Sequence, residues 1–201
     1  IDYAFHFAAL KSVPESEKKP DLYIKNNIDG TKKLLSLMQV LSIKRIIFSS
    51  SAAVYGDQEI QPIKETAALN PKSVYAQTKK IAEDLIKKQA QRDDFKAISL
   101  RYFNPIGAHE DNVISDNFES DNVNIMAMLI RVATGLEEQF NIFGDDYPTT
   151  DGTGERDYIH IKDIVDGHFK ALEKLELISE YEVYNLGTGS CVSVLELIKT
   201  L

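Results

Sequence analysis

Tyr75 and Lys79 stand four residues apart in Ser73-Val74-Tyr75-Ala76-Gln77-Thr78-Lys79, and a serine run, Ser49-Ser50-Ser51, lies upstream of them. Residues four apart share one face of a helix, so a phenol and an ammonium would project to the same side. A phenol with its ordinary pKa of about 10 is a poor base at neutral pH. A nearby cation favours the phenolate and lowers that value, and general-base catalysis works best when the pKa lies near the working pH. A hydroxyl such as that of Ser51 could then hold a substrate alcohol in line with the phenolate oxygen. The trio suits removal of a proton from a secondary alcohol while a hydride leaves the same carbon.

The spacing alone does not single out the pair. Tyr158 and Lys162 repeat it, but Asp157-Tyr158-Ile159-His160-Ile161 alternates like a strand, where such residues need not face one another, and no serine run precedes it. A half-buried tyrosine beside a solvated lysine is the commoner meaning of one Tyr-x-x-x-Lys, so the surrounding elements must decide.

Those elements read as strands alternating with helices. Tyr3-Ala4-Phe5-His6-Phe7-Ala8-Ala9 is a predicted buried strand, and residues 21–41 carry helical spacing in Leu22, Ile24, Ile28, Leu34, Leu35, Met38 and Leu41. Gly30 interrupts that helix at a cost of about 1 kcal/mol. Residues 44–48 form a second strand ending in the serine run, a loop over 56–71 leads to a helix over 73–91, and residues 97–103 make a third strand. An acidic loop, 109–122, is either a solvated connection or a segment near substrate. Beyond it come a predicted helix over 125–138, a short strand over 139–143, a loop rich in Asp, Gly and Thr over 145–155, a strand over 156–161, a helix over 163–177 and a strand over 181–186. Ser193-Val194-Leu195-Glu196 has the form of a capping box opening a last helix.

This alternation predicts an α/β fold: part of a Rossmann-like, doubly wound parallel sheet covered on both faces, with part of a smaller substrate-binding domain. Residues 1–108 are expected to hold the catalytic residues on the sheet, and 109–201 to supply substrate-binding elements and return to it. Ligands in such sheets bind beyond the carboxyl ends of the strands. The serine run ends one predicted strand and Asn104 the next, which collects the candidate chemistry on one rim.

Composition narrows the classes. With 43% hydrophobic and 27% charged residues over 201, the chain reads as an ordinary soluble globular protein. Its net charge of −8 argues against general nucleic-acid binding and against anionic membranes. The one cysteine, Cys191, excludes a disulfide framework and points to a reducing, cytoplasmic setting. The apolar opening is short, carries Asp2 and His6 and lacks a basic flank, unlike a signal peptide. It starts at Ile inside a predicted strand, which suggests a piece of a longer protein. No Gly-x-Gly-x-x-Gly is present, and Gly187-Thr188-Gly189 is followed by a loop rather than a helix. Histidines 6, 109, 160 and 168 lack metal-ligand spacing, so no metal is expected. Without a Gly-x-Ser-x-Gly elbow, Ser51 does not read as a hydrolase nucleophile.

Five stretches stand in order: His6-Phe7-Ala8-Ala9-Leu10-Lys11, Ser49-Ser50-Ser51-Ala52-Ala53-Val54-Tyr55-Gly56, Tyr75-x-x-x-Lys79, Leu100-Arg101-Tyr102-Phe103-Asn104-Pro105-Ile106-Gly107-Ala108 and Asp151-Gly152-Thr153-Gly154-Glu155-Arg156-Asp157-Tyr158-Ile159-His160. Together they closely resemble the UDP-glucose 4-epimerases of the extended short-chain dehydrogenase/reductase superfamily, over nearly the whole chain, as the middle of such an enzyme. The resemblance implies NAD as cofactor, UDP-glucose and UDP-galactose as substrates, and a homodimer. It implies Tyr75 as the base at the sugar 4-hydroxyl, Lys79 as the group that binds the nicotinamide ribose and depresses the Tyr75 pKa, and Ser51 as a hydrogen-bond partner of the sugar hydroxyl. Phe7, Ala8, Ala9, Leu10, Lys11, Asn26 or Asn27, Ser49, Ser51, Tyr75, Lys79, Tyr102 and Phe103 match cofactor-contacting positions. Lys11, Ser51, Tyr75, Asn104, Asn124, Ile125, Asn141, Ile142, Phe143 and Arg156 match positions that hold the UDP-sugar. The guanidinium of Arg156 suits a pyrophosphate, whereas Phe143 could equally be a core strand aromatic.

The pattern departs from the family at Ala9, where many relatives have glycine, at Ala76-Gln77-Thr78, in place of Gly-Lys-Ser, and across 110–123. Rival readings are another NAD-dependent NDP-sugar epimerase, decarboxylase or dehydratase of the superfamily, and a non-catalytic Rossmann-like interaction module. The 4,6-dehydratases carry an acidic residue just after the strand-end hydroxyl, where this chain has Ala52 and Ala53. Lacking the glycine-rich turn that binds pyrophosphate, the 201 residues alone are expected to be inactive and to bind NAD no better than millimolar.

Overall fold

The computed structural model describes residues 1–92, 94–108 and 124–200, so the acidic loop over 109–122 lies outside the described residues. Two compact units form: residues 1–103 with 165–186, and residues 104–164 with 187–201. The sequence reading put its division after residue 108; residues 104–106 form a strand that hydrogen-bonds within the second unit.

The first unit is an α/β layer structure with a Rossmann-like parallel sheet. Strands β1 (Ala4–His6), β2 (Arg45–Ser51), β3 (Lys96–Tyr102) and β6 (Tyr181–Leu186) lie in that order, all parallel. Buried strands of this kind read as apolar runs, and Ile46, Ile47, Phe48, Ala97, Ile98 and Leu100 are all fully buried. Side chains alternate across the sheet, which divides the core in two. On one face Ile46, Phe48 and Ala97 pack with Leu35 and Met38 of α3 (Gly30–Val40) and with Ala82, Ile86 and Ala90 of α4 (Val74–Ala90). On the other, Ile47, Ile98 and Leu100 pack with Ala171 and Leu175 of α6 (Ile161–Leu175).

The predicted helix over 21–41 is a composite: α2 (Pro20–Tyr23), a π-helical stretch (Ile24–Asp29) and α3. The wider turn buries Asn27 and Ile28 side by side, a placement that matters at the site below. A helix not foreseen, α1 (Val13–Lys18), starts at Ser12, whose hydroxyl accepts from the Glu15 amide. The strand expected over residues 3–9 is shorter, Ala4–His6, and the serine run expected after β2 is its last turnless stretch, paired through Ser51↔Tyr102.

The second unit pairs β4 (Asn104–Ile106) parallel with β5 (Glu155–His160), and β5 antiparallel with β7 (Cys191–Ser193). Helix α5 (Ile125–Ala133) ends sooner than its apolar spacing predicts: Thr134 closes it and Gly135 turns left-handed at φ 75°. Residues 139–143 form no strand, a correction to the sequence reading. Their alternation finds no partner strand among the described residues, and Phe143 is 87% exposed. The capping box opening α7 (Val194–Thr200) is present: the Glu196 amide donates to Ser193 Oγ and the Ser193 amide to Glu196 Oε2, each at 3.0 Å.

Candidate active site

Tyr75 sits in the first turn of α4, and its position is fixed by caps. Ser73 ends the preceding chain in extended conformation and its hydroxyl accepts from the Ala76 amide at 3.1 Å. The next orphan amides of the helix start are taken by α1: Val74 N–H donates to Glu17 Oε1 at 2.8 Å and Tyr75 N–H to Ser16 Oγ at 3.1 Å. The base is thereby set by two segments, not one.

Lys79, one turn on, is 5% exposed, and its ammonium donates to the Ser49 carbonyl oxygen at 2.7 Å. The same nitrogen lies 4.9 Å from the Phe48 ring centroid and 6.0 Å from that of Tyr75. Burial draws its pKa down to about 8, opposed by the Glu83 carboxylate. Ser51, at the end of β2, accepts from the Ala53 amide at 3.2 Å and lies near the Tyr75 phenol. Ser51, Tyr75 and Lys79 therefore converge at the carboxyl edge of the parallel sheet. The expectation that Lys79 depresses the Tyr75 pKa does not hold here: burial pushes the phenol up, and the Ser51 hydroxyl opposes this only in part. The ammonium donates to the Ser49 carbonyl, and no hydrogen bond joins it to the phenolic oxygen.

Of the cofactor-matching positions, Asn27 is buried with its amide committed to the chain after β1. It accepts from the Leu10 amide at 2.8 Å and donates to the Leu10 carbonyl and to Thr78 Oγ1, both at 3.0 Å. Asn26 is exposed and donates to Asn27 Oδ1. Asn27 thus ties Leu10 to Thr78 of α4, and Phe7, Ala8 and Lys11 are exposed beyond the end of β1. Ser49 and Tyr102 are joined hydroxyl to hydroxyl at 2.5 Å, with Phe103 next in the chain. Gly56, after Ser51, needs its left-handed φ of 63°: a Cβ there would fall 2.1 Å from the Asn70 carbonyl oxygen.

The remaining matched positions belong to the second unit. Asn104 donates to the Asp157 carbonyl at 2.9 Å. Asn124 caps α5, accepting from the Ala127 amide at 2.9 Å, with Ile125 first in that helix. Asn141, Ile142, Phe143 and Arg156 are exposed, and Arg156 donates to the Glu155 carbonyl at 2.7 Å. The Asp157 carboxylate accepts from the Thr188 and Gly189 amides at 2.8 Å, closing the loop that had looked like a broken glycine fingerprint.

Sequence reading missed Ser16, Glu17 and the residues that brace the strands from behind. Ser12-x-x-Glu15 was the available sign of α1. Arg101 and Glu83 form a buried bidentate pair at 2.9 and 2.6 Å, and Arg101 also donates to the Tyr55 hydroxyl at 2.9 Å. The Tyr55 hydroxyl in turn donates to Asn185 Oδ1 at 2.7 Å. Glu83 lies one turn beyond Lys79, so this network anchors the catalytic helix to β3, to the turn after Ser51 and to β6. No group of side chains among the described residues is arranged to hold a metal ion.

A phenol, a lysine and a serine at the carboxyl edge of a Rossmann-like sheet resemble the site of a short-chain dehydrogenase. Residues 1–187 match the NAD dependent epimerase/dehydratase family, and the chain belongs to that family. It is 44% identical over 201 residues to a UDP-glucose 4-epimerase of Erwinia amylovora, covering 99% of this chain and 60% of that one. To a UDP-glucose 4-epimerase of Bacillus subtilis (strain 168) it is 44% identical over 200 residues, covering 99% and 59%. The crystal structure of the UDP-glucose-4-epimerase of Stenotrophomonas maltophila with bound NAD and formylated UDP-arabinopyranose superposes with a TM-score of 0.95 at 45% identity, covering 99% of this chain and 60% of that chain. The chain thus spans about 60% of the length of these three relatives.

Proposed function

We propose that this chain carries the catalytic residues of an NAD-dependent UDP-glucose 4-epimerase, which interconverts UDP-glucose and UDP-galactose through a 4-keto sugar. The observation that carries the reading is the convergence of Ser51, Tyr75 and Lys79 at the carboxyl edge of the sheet. A bound NAD would supply the hydride chemistry, accepting from sugar C4 and giving back to its opposite face. The donor set fits such a group: the Lys79 ammonium uses one of its three donors on Ser49, leaving the others for ribose hydroxyls. Asn27 holds Leu10 beyond the strand end, where a dinucleotide would lie.

The residues would work as follows. Ser51 holds the 4-hydroxyl, Tyr75 removes its proton as C4 is oxidised, and the same phenol returns the proton when C4 is reduced. Lys79, with its pKa near 8, is mostly charged at neutral pH and favours the phenolate once its donors face the site. Phe7, Ala8, Ala9, Leu10, Lys11, Ser49, Tyr102 and Phe103 would contact NAD. Asn104, Asn124, Ile125, Asn141, Ile142, Phe143 and Arg156 would hold the UDP-sugar, with Arg156 on the pyrophosphate.

A homodimer in the cytoplasm belongs to the same proposal. Leu37, Val40 and Leu41 on α3 and Ile81 on α4 expose 40–79% of their surface, an apolar face that a second copy would cover. Among the described residues no helix is long and apolar enough to cross a membrane.

The test is to mix the full-length protein with NAD and UDP-galactose and to look for UDP-glucose. Its formation is expected, without a 4-keto-6-deoxy sugar, because Ala52 and Ala53 offer no acid for loss of water. A 4-keto-6-deoxy product would assign the protein to the dehydratases, and no conversion at all would remove the catalytic reading.

A further inference from the structure

The hydrogen bonding at the strand ends does not stop at the catalytic trio. Ser49 accepts the Lys79 ammonium on its carbonyl and meets the Tyr102 hydroxyl with its own. The Tyr102 oxygen is also 2.7 Å from Nε2 of His168. Lys79 belongs to the helix that covers one face of the sheet and His168 to the helix that covers the other. Ser49 is the one residue on which both lines meet. His168 is 7% exposed, and its ring lies 4.9 Å from that of Phe7, 5.6 Å from that of Tyr102 and 6.2 Å from that of Phe5.

A pocket walled by three aromatic rings would be filled at lower cost by an apolar side chain, since burying a polar ring requires compensating hydrogen bonds. What the imidazole adds is direction. A hydroxyl between two partners has a single proton to give. If Nε2 carries no hydrogen, Tyr102 donates to it and Ser49 donates to Tyr102. If Nε2 carries one, both bonds run the other way. The tautomer of His168 therefore sets the sense of the chain that ends on Ser49.

We propose that His168 is a positioning residue for the reaction, acting through Tyr102 and Ser49 to hold the end of β2 that presents Ser51 and receives Lys79. This rests on the dehydrogenase-type reading of the site. It assigns His168 no contact with substrate or cofactor.

The test uses the full-length protein and two readouts. In nitrogen NMR of histidine-labelled protein, Tyr102→Phe is expected to move the ring-nitrogen shifts of His168; unchanged shifts would overturn the proposal. In turnover assays, His168→Phe should lower kcat about tenfold or more while KM for the UDP-sugar stays within a factor of about two, as expected for lost alignment. His168→Gln, whose amide can still reach Tyr102, should recover most of that loss, and the double variant Tyr102→Phe/His168→Phe should be no slower than the worse single one. Glutamine performing no better than phenylalanine, or multiplying losses in the double variant, would overturn it. If His168→Phe does not fold, Tyr102→Phe and His168→Gln carry the same comparison. An active parent indifferent to these changes sinks this inference alone, whereas an inactive parent removes the reading of the site and the inference with it.

Discussion

The Lys79 ammonium and the Ser49 carbonyl oxygen lie 2.7 Å apart, which fastens the helix bearing Tyr75 to the strand bearing Ser51. A helix and a strand 30 residues apart in sequence thus share one polar joint beneath the candidate base. The joint accounts for a lysine buried to 5% exposure, where an unpaired ammonium would be costly.

Tyr75→Phe tests the base. Only the hydroxyl is lost, so NAD affinity should change little while turnover falls about 100-fold or more, the usual scale of general acid–base catalysis. Tyr158→Phe is the matched control: its phenol lies in β5, in the other unit, and the chemical step should be nearly untouched. Turnover of Tyr75→Phe within a factor of two of the parent would remove Tyr75 from its role.

Lys79→Met separates function from stability. Burial holds the folded-state pKa near 8, against 10.5 for an ordinary lysine, so the unfolded chain binds more protons between those values. Stability should rise with pH from about 8 to 10.5 in the parent, and this part of the rise should vanish in the variant. At pH 7 the apolar replacement should gain about 1 kcal/mol in the cofactor-free protein, because the avoided desolvation exceeds one lost hydrogen bond. Turnover should collapse. Urea denaturation at pH 7.5 and 9.5 checks the first claim; a destabilised, pH-responsive Lys79→Met would contradict it.

Glu83→Gln tests the brace behind the site. It leaves the Arg101 guanidinium buried without its carboxylate, a change that costs about 3–5 kcal/mol in comparable buried pairs. Replacing both, Glu83→Leu with Arg101→Met, should recover much of that loss in chemical denaturation. A single variant as stable as the parent would show that the pair is not an uncompensated-charge problem.

The parts of this architecture governed by neighbours in sequence could be read from it. The caps at Ser73 and at Ser193 with Glu196 are local chemistry, and the apolar runs of β2 and β3 are legible because both faces are buried. The failures are tertiary. The alternation over 139–143 meant nothing without a partner strand, and the spacing of α5 could not show that Gly135 would turn the chain. The tie between the Asn27 amide and Leu10, 17 residues away, has no local sign either. The meeting of Tyr102 and His168 spans 66 residues and has no local signature at all.

His6 carries the last prediction. Its ring is buried at the end of β1, 5.3 Å from that of Phe48, and Nε2 lies 2.9 Å from Thr31 Oγ1. The Thr31 hydroxyl already donates to the Asn27 carbonyl at 2.6 Å, so it accepts from Nε2–H. Burial first, and the charge on Lys79 second, draw the His6 pKa from 6.5 down to about 4. Between those values the unfolded chain takes the proton and the folded one does not, so stability falls as pH drops through 6.5 and the loss is complete near pH 4. A displacement of that size corresponds to about 3 kcal/mol. Carboxylates titrate in the same range, so the measurement is a difference: urea denaturation of the parent and of His6→Asn at pH 7.5 and 4.5. His6→Asn should start less stable, lacking the fitted ring, yet lose about 3 kcal/mol less than the parent on acidification. Equal losses in the two proteins would mean that His6 is not the group that penalises folding in acid.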